Sequence, residues 1–352
     1  MNRTTIDFGI DLGTTNSAIA VLKGVSTEII KNNRDADITP SAVYIDKKGN
    51  IRRGEAAKSR FVDEEDDVYL EFKRRMGTDH VYKFRSSGQQ RKPEELSAEI
   101  LKSLKADVQQ KTGEVVESAV ITVPAAFELH QCDATRKAAD LAGFKQSPLL
   151  QEPVAAALAY GFQTDSQKAY RLVYDFGGGT FDAALIKSED GSIHVVNHGG
   201  DNFLGGSDID WAIVEKLLIP RLLEQHSLED FTRGNKKWRR AFALLKRAAE
   251  MAKIEVSSYE TTTLDCCRFN DDAGNTIEFE CDLPLADVIR IAEPTILRSV
   301  EITKRVLKEK NLPKESVERL ILVGIRRCRA FRRIGGLHGS PGSSALRGFI
   351  GG

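Results

Sequence analysis

Two short segments with the same layout lie 164 residues apart and constrain the fold of this 352-residue chain more than any other feature. In each segment an apolar run leads to an aspartate, Asp11 or Asp175, and a glycine-containing turn and a second apolar run follow. Apolar runs separated by such a turn predict a β-hairpin. A separation of about half the chain predicts a duplicated fold with two related lobes.

The remaining sequence alternates between helical and strand patterns. Helical periodicity predicts helices over 94–112, 133–142, 152–160, 211–225, 237–253 and 285–310. Short apolar runs predict strands over 120–123, 261–264, 276–281 and 320–323. This mixture indicates the α/β class. The acidic run Asp63–Asp67 is predicted to be a solvated loop rather than a cation site, because like charges repel and stay exposed.

The second turn has a composition suited to binding phosphate. Gly177, Gly178 and Gly179 lack the Cβ atoms that would keep an anion from the backbone, and successive N–H groups can then surround phosphate oxygens. Thr180 adds a hydroxyl donor, and Asp175 stands at the end of the preceding strand. The same composition also suits a tight hairpin in which glycine serves turn geometry alone.

The first turn consists of Gly13, Thr14, Thr15 and Asn16, with hydroxyl groups in place of two glycines. Two such turns facing each other across a cleft would hold a polyphosphate from both sides. Asp11 and Asp175 would then hold a hydrated Mg²⁺ through water, since this ion prefers few carboxylates together with waters and phosphates. Phosphoryl transfer requires mainly positioning and charge stabilisation, and this set of residues supplies both.

Composition argues against several other classes of protein. Lysine plus arginine and aspartate plus glutamate both number 51, whereas nucleic-acid-binding proteins usually carry a basic excess. Five cysteines without a C-x-x-C pair predict a reducing, cytoplasmic compartment. The sequence shows no secretory signal, no apolar run of about 18 residues and no Walker A motif. We therefore expect neither a nucleic-acid partner nor a membrane partner.

Five motifs in order carry a resemblance to a known family. They are Gly9–Ser17, Val123–Phe127, Glu152–Ala157, Val173–Asp182 and Gly200–Asp208. From about residue 6 to residue 324 the chain resembles the ATPase domain of the DnaK-type seventy-kilodalton heat-shock chaperones. The resemblance implies an actin-like fold with two α/β lobes around a nucleotide cleft. It implies hydrolysis of ATP to ADP with Mg²⁺, and suggests K⁺ as a further ion.

The resemblance also implies roles for charged residues. Lys73 matches the family's catalytic lysine, which would offset charge on the γ-phosphate and orient the attacking water. Glu152 matches the acidic residue near the metal and the water, and Asp182 matches a further cleft carboxylate beside the catalytic Asp11 and Asp175. On local sequence alone, Lys73 would be a surface lysine, Glu152 would complement a helix dipole and Asp182 would cap a strand.

On the nucleoside side the resemblance implies contacts from Gly205, Gly206, Glu250, Lys253, Ser257 and Gly324. Three of these, Glu250, Lys253 and Ser257, are spaced so that one helix face can present them together. Without the resemblance, that spacing indicates an exposed helix face.

The resemblance divides the chain into lobe I over 1–165, lobe II over 166–324 and an aberrant tail over 325–352. After Gly324 the second glycine of the family pattern and the pocket residues that follow it are missing. Residues 326–352 contain six arginines and no carboxylate, which leaves 1–325 with six more acidic than basic groups. This composition predicts a disordered tail. Two alternatives explain this departure from the family pattern: a reading-frame change near Gly324, or a native basic tail for an acidic partner.

Three functions remain open at this point. The first is an ATP-hydrolysing chaperone domain whose partners are client proteins, J-domain co-chaperones and nucleotide-exchange co-chaperones, with the peptide-binding domain itself absent from the sequence. The second is a nucleotide-binding regulatory or pseudo-ATPase module, and the third is a metabolite kinase of the same fold. Loss of the last strand and helix of the domain could also leave the chain unstably folded. Cys132 stands where the family usually has a basic residue that, with Pro124, relays the nucleotide state.

Overall fold

A computed structural model describes residues 5–159, 170–189, 192–312 and 316–324, without the side chains of 265–267. The chain forms two compact units, Met1–Gly161 and Phe162–Gly352. The predicted lobe boundary at 165/166 and the predicted tail over 325–352 lie outside the described residues. No helix within the described ranges has the length and apolar character needed to cross a bilayer.

The first unit is built on a mixed sheet with helices packed against it. Its elements are β1 (Phe8–Asp11), β2 (Asn16–Lys23), β3 (Ser26–Ile29), β4 (Thr39–Pro40), β5 (Ala42–Ile45), β6 (Ile51–Arg53), α1 (Glu55–Lys58), β7 (Val68–Leu70), β8 (Tyr82–Lys83), β9 (Gln90–Arg91), α2 (Pro93–Thr112), β10 (Val120–Val123), α3 (Leu129–Leu141), β11 (Leu149–Gln151) and α4 (Glu152–Ala159). Short 3₁₀ turns cover Glu65–Asp67 and Phe72–Arg75.

The main sheet of the first unit has the order β11-β10-β1-β2-β3, with β4 also paired to β2. Strands β1, β10 and β11 are parallel, whereas β1 and β2 form the predicted antiparallel hairpin. Helix α2 begins at Pro93, which the first turn of a helix tolerates, and ends before Gly113 in the left-handed region. Its predicted apolar face is buried in the core at Leu96, Ile100, Leu101, Leu104 and Val108.

The second unit contains β12 (Tyr170–Phe176), β13 (Phe181–Glu189), β14 (Ser192–Asp201), α5 (Gly206–Ile213), α6 (Ile219–Gln225), α7 (Arg239–Glu255), β15 (Thr261–Asn270), β16 (Thr276–Pro284), α8 (Leu285–Lys308) and β17 (Val317–Gly324). Its main sheet has the order β14-β13-β12-β17, and β15 and β16 form a separate hairpin. Helices α5, α7 and α8 contribute Ile209, Leu245 and Ile296 to its buried core.

The two main sheets share one topology, which supports the predicted duplication. In each, an antiparallel hairpin (β1–β2 or β12–β13) is extended by a third antiparallel strand (β3 or β14). In each, a strand that comes much later in the sequence (β10 or β17) pairs in parallel with the first strand of the hairpin. Asp11 is the last residue of β1, and Asp175 is the second-to-last residue of β12. The two aspartates therefore occupy corresponding points in the two units.

Two local predictions are refined by the structure. The segment predicted as one helix over 211–225 is helical, but a π-helical turn at Val214–Leu218 separates α5 from α6. Pro220 follows this turn and has no N–H to donate to the preceding turn, which accounts for the break in the α-helical pattern. The prediction of a solvated loop is wrong for Asp67, which is buried and accepts hydrogen bonds from the backbone and hydroxyl of Ser86.

Candidate functional site

The first turn, between β1 and β2, is held in a tight conformation that requires glycine at position 13. A Cβ atom on Gly13 would lie 2.0 Å from the carbonyl oxygen of Asn16, where Asn16 already begins β2. Ser41 braces the turn from outside: its hydroxyl donates to the Gly13 carbonyl at 2.7 Å, and its amide donates to the Thr15 carbonyl at 2.8 Å. The turn is therefore fixed by the surrounding protein.

Two buried hydroxyl groups line this turn without a hydrogen-bond partner among the described residues. They are the Oγ1 atoms of Thr14 and Thr15. A buried hydroxyl that forms no hydrogen bond costs about 1–3 kcal/mol, and such groups in native proteins usually serve a ligand or a water molecule. Because a hydroxyl is a donor, both groups fit the acceptor oxygens of a phosphate.

The charged side chains that the sequence predicts for the site of the first unit gather where the parallel strands β1, β10 and β11 end. Asp11 ends β1, and its Oδ1 accepts a hydrogen bond from the Thr122 hydroxyl of β10 at 3.2 Å. Glu152 follows β11 directly and begins α4. In α/β proteins, ligands bind at the carboxyl ends of parallel strands, so this edge is the expected place for a site.

Lys73 and Glu152 form a buried ion pair at this edge. The Lys73 ammonium donates to Glu152 Oε1 at 2.8 Å, and the side chains are only 5% and 15% exposed. Lys73 lies in a 3₁₀ turn that follows Glu71, a residue in the left-handed region, and its ammonium stands 5.6 Å from the centroid of the Phe127 ring. The surface position that local sequence suggested for Lys73 is therefore wrong.

The charged groups around Asp11 shift its pKa in opposite directions. Although the Asp11 side chain keeps solvent-accessible surface, the surrounding protein displaces much of its hydration, and this raises its pKa. The Glu152 carboxylate raises the pKa further, whereas the Lys73 ammonium and the Thr122 hydroxyl lower it. A second cation at this place would relieve the repulsion between the two carboxylates.

The second turn, between β12 and β13, is closed by a hydrogen bond from the Gly177 amide to the Thr180 carbonyl at 2.9 Å. A Cβ on Gly177 would lie 3.1 Å from that carbonyl oxygen. Asp175 and Asp182 flank the turn and stand directly opposite each other in the antiparallel pair. Like charges opposite each other destabilise a sheet, so a bound cation would offset the repulsion.

The pair of Asp175 and Asp182 suits a divalent ion that keeps bound water better than it suits an ion held by protein ligands alone. Over the ranges that the structure describes, no group of three or more His, Cys, Asp or Glu side chains could hold a metal ion. An ion at the aspartate pair would therefore take further ligands from water and from substrate phosphates, as Mg²⁺ usually does. Asp182 is buried and Asp175 is half-buried, so the two carboxylates differ in their access to solvent.

The start of α5 packs against the second turn through backbone atoms. The Gly206 amide donates to the Gly177 carbonyl at 3.0 Å, and the Ser207 amide donates to the Gly178 carbonyl at 2.7 Å. A Cβ on Gly205 would lie 2.6 Å from the Gly179 nitrogen, which leaves no room for any side chain there. Gly205 and Gly206, which the resemblance places on the nucleoside side, are thus in contact with the second turn.

Gly324 ends β17 next to the same turn. It is the register partner of Phe176, has a positive φ of 78° and would place a Cβ 2.3 Å from the Phe176 carbonyl oxygen. Both the backbone conformation and the close approach require glycine. The residues that follow it lie outside the described residues.

The three residues predicted on the nucleoside side are brought together in part. Glu250 and Lys253 are half-buried on α7, whereas Ser257 lies just beyond the helix and donates its hydroxyl to the Lys253 carbonyl at 3.0 Å. Lys253 donates to the Gly206 carbonyl at 2.8 Å and lies 2.5 Å from an oxygen of Asp210. Sequence reasoning missed Asp210, although two lysines spaced seven residues apart on one helix face were a signal that a carboxylate lies nearby.

The pair proposed for relaying the nucleotide state stays a prediction. Pro124 follows β10 directly, and Cys132 lies in the first half of α3 with its thiol 4.0 Å from the Phe127 carbonyl oxygen. Burial raises the pKa of the Cys132 thiol. A neutral thiol at this place cannot form the ion contacts of a basic residue.

Comparison with known proteins assigns the chain to a family. Residues 7–328 match the profile of the family described as Hsp70 protein. The chaperone protein DnaK from each of two strains of Halobacterium salinarum is 38% identical to the chain over 316 residues. The match covers 90% of this chain and 49% of each relative, so the chain spans about half the length of the curated relatives it matches. The predicted α/β, actin-like class is confirmed, and the chain belongs to the Hsp70 family.

Proposed function

We propose that this chain is the ATP-binding and ATP-hydrolysing domain of a DnaK-type chaperone. The observation that carries the proposal is the buried pair of Lys73 and Glu152 beside Asp11, at the position where the family motifs predict the catalytic lysine. Because the Lys73 ammonium is buried and held by the Glu152 carboxylate, it is fixed at this edge, where it can offset charge on a bound phosphate. The family assignment supports the same activity.

The two turns would supply the phosphate contacts. We propose that the hydroxyls of Thr14 and Thr15, together with the backbone of Gly13 and Asn16, bind phosphate oxygens in the first unit. In the second unit Gly177, Gly178, Gly179 and Thr180 would do the same with backbone N–H groups and one hydroxyl, beside Gly324. The arrangement of the two lobes around a cleft, and their boundaries at 1–165 and 166–324, stay predictions.

The charged residues would carry out the hydrolysis. The Lys73 ammonium would offset negative charge that develops on the transferred phosphate and orient the attacking water, and Glu152 would hold that ammonium in place. Asp11 and Asp175 would hold Mg²⁺ through water, and Asp182, the register partner of Asp175, would add a further carboxylate. When bound, Mg²⁺ neutralises charge on the phosphates. K⁺ is a further candidate ion.

The nucleoside would be recognised in the second unit by Gly205, Gly206, Glu250, Lys253 and Ser257. We also propose client proteins, J-domain co-chaperones and nucleotide-exchange co-chaperones as partners, in the cytoplasm. Coupling of the nucleotide state to client binding would need segments beyond the half of the DnaK relatives that this chain spans.

Release of phosphate from Mg-ATP tests the proposal. We expect Lys73→Ala and Asp175→Asn to lower turnover at least about 100-fold, since each removes a group that stabilises charge in the transition state. Removal of Mg²⁺ by a chelator should abolish turnover in the parent chain. The matched control is Lys48→Ala, which replaces an exposed lysine in the turn between β5 and β6 and should leave turnover unchanged.

Equal turnover in the parent chain, Lys73→Ala and Asp175→Asn would exclude the proposed catalytic roles. Tight binding of ATP by the parent chain without any phosphate release would instead favour the regulatory or pseudo-ATPase module.

A further inference from the structure

One buried carboxylate in the second unit is held between two lysines of a neighbouring helix. Asp210 of α5 is 2% exposed. Its Oδ2 accepts a hydrogen bond from Lys246 of α7 at 2.8 Å, and its Oδ1 lies 2.5 Å from the Lys253 ammonium. The contact between the Lys253 ammonium and Asp210 Oδ1 is an ion pair without the geometry of a hydrogen bond. Asp210 therefore joins α5 to α7 through two cations.

Lys253 continues this connection to the phosphate-binding turn. Its ammonium donates to the Gly206 carbonyl at 2.8 Å, and the Gly206 amide donates to the Gly177 carbonyl at 3.0 Å. The chain of contacts thus runs from Asp210 through Lys253 and Gly206 to the glycine turn. Every contact in it lies within the second unit.

The geometry gives the carboxylate a specific task. A lysine side chain has four flexible bonds, and holding it in one conformation costs up to about 2 kcal/mol of side-chain entropy. A buried carboxylate within ion-pair distance fixes the ammonium before any ligand arrives. Without that carboxylate, Lys253 would lose its only anionic contact within the described residues and could leave the Gly206 carbonyl.

We propose that Asp210 is a positioning residue for nucleoside binding: it holds the Lys253 ammonium at the Gly206 carbonyl, and so sets the position of the nucleoside-side helix α7 relative to the phosphate turn. This inference rests on the proposed function. It assigns Asp210 no contact with the nucleotide, and it predicts that the residue acts through Lys253 alone.

Calorimetric titration of the whole chain with ADP and with inorganic tripolyphosphate tests this inference. The variants are Asp210→Asn, Lys253→Met and the double variant, with Asp287→Asn as the matched control. Asp287 is an ion-paired carboxylate at the start of α8 in the same unit. Asparagine has nearly the shape of aspartate and can still accept from Lys246, so the variant removes charge with little change in packing.

We expect Asp210→Asn to weaken ADP binding about ten-fold, the effect of losing one charge-assisted contact, and to leave tripolyphosphate binding within about two-fold of the parent. The double variant should bind ADP no more weakly than Lys253→Met, since both substitutions break the same connection. Asp287→Asn should bind both ligands like the parent chain.

Four results would overturn the inference. ADP affinity in Asp210→Asn equal to that of the parent chain would show that Lys253 needs no carboxylate. Additive losses in the double variant would show that Asp210 acts independently of Lys253, and equal losses for ADP and tripolyphosphate would indicate a general structural role. A parent chain that binds neither ligand would overturn the proposed function itself, and this inference with it.

Discussion

The two glycine-containing turns occupy corresponding places in two sheets of the same topology, yet they are built differently. The turn after Asp11 offers two threonine hydroxyls and is braced by a serine side chain, Ser41. The turn after Asp175 offers backbone N–H groups and is braced by the backbone at the start of α5. A duplicated framework has therefore kept the position of the turn while changing the groups that it presents.

The surroundings of the two turns differ in charge as well. Beside the first turn stands a buried lysine, Lys73, paired with Glu152. Beside the second turn stand two carboxylates, Asp175 and Asp182, opposite each other in the hairpin. The first unit thus supplies a fixed positive charge and the second supplies a place for a cation.

The largest expected effect comes from breaking the ion pair of the first unit. Lys73→Met should destabilise the chain by about 3 kcal/mol, because it leaves the Glu152 carboxylate buried without its cation. The double variant Lys73→Met with Glu152→Gln should regain most of that stability but no turnover. Urea unfolding gives the stability, and phosphate release gives the activity. Equal stability of the single and double variants would show that the pair is not coupled.

A smaller effect should come from crowding the second turn. In Gly205→Ala the new Cβ would lie 2.6 Å from the Gly179 nitrogen, so the turn must move away from α5. We expect ATP affinity to fall about 100-fold, corresponding to about 2.7 kcal/mol. Gly234→Ala, where a Cβ meets no atom within 4 Å, is the control and should bind like the parent chain. Unchanged affinity in Gly205→Ala would remove the second turn from the binding site.

Removing a hydroxyl of the first turn should have opposite effects on stability and on binding. Thr14→Val replaces a buried hydroxyl without a partner among the described residues, so the ligand-free chain should gain about 1 kcal/mol or remain unchanged. ADP affinity should fall about ten-fold. Thr39→Val is the matched control, since the Thr39 hydroxyl accepts from Asn32 and its loss should only destabilise. A stability loss in Thr14→Val without any loss of affinity would contradict the assignment.

The smallest effect should come from the brace of the first turn. Ser41→Ala removes the hydrogen bonds of this hydroxyl with the Gly13 carbonyl and with the Ser17 hydroxyl, together worth about 1–2 kcal/mol. We expect a stability loss of that size in thermal unfolding and a loss of ADP affinity of no more than about five-fold. A larger loss of affinity than in Thr14→Val would show that turn conformation, and not the hydroxyls, determines binding in the first unit.

Much of the framework could be predicted from the sequence because its signals are local. The two hairpins, helix α2 and the strand β10 follow from apolar periodicity, proline and glycine within each segment. Glycine is needed at positions 13 and 205 because backbone atoms approach closely there. Composition indicates the type of turn, but it does not indicate which atoms meet.

The remaining features depend on residues far apart in the chain. The partner of Lys73 lies 79 residues away, so the local sequence alone suggests a surface lysine. The acidic neighbours of Asp67 predict exposure to solvent, yet Ser86, 19 residues on, donates two hydrogen bonds to its carboxylate. The cationic partners of Asp210 lie on α7, 36 and 43 residues further along the chain. Long-range partners decide burial, and a local pattern does not contain them.

Single-turnover phosphate release from Mg-ATP, measured for the parent chain and for the stable double variant Lys73→Met with Glu152→Gln, tests the central claim most directly. If the first unit supplies the catalytic charge, the parent chain releases phosphate and the double variant, although folded and able to bind ATP, releases it at least about 100-fold more slowly. Equal rates in the two proteins would contradict that account.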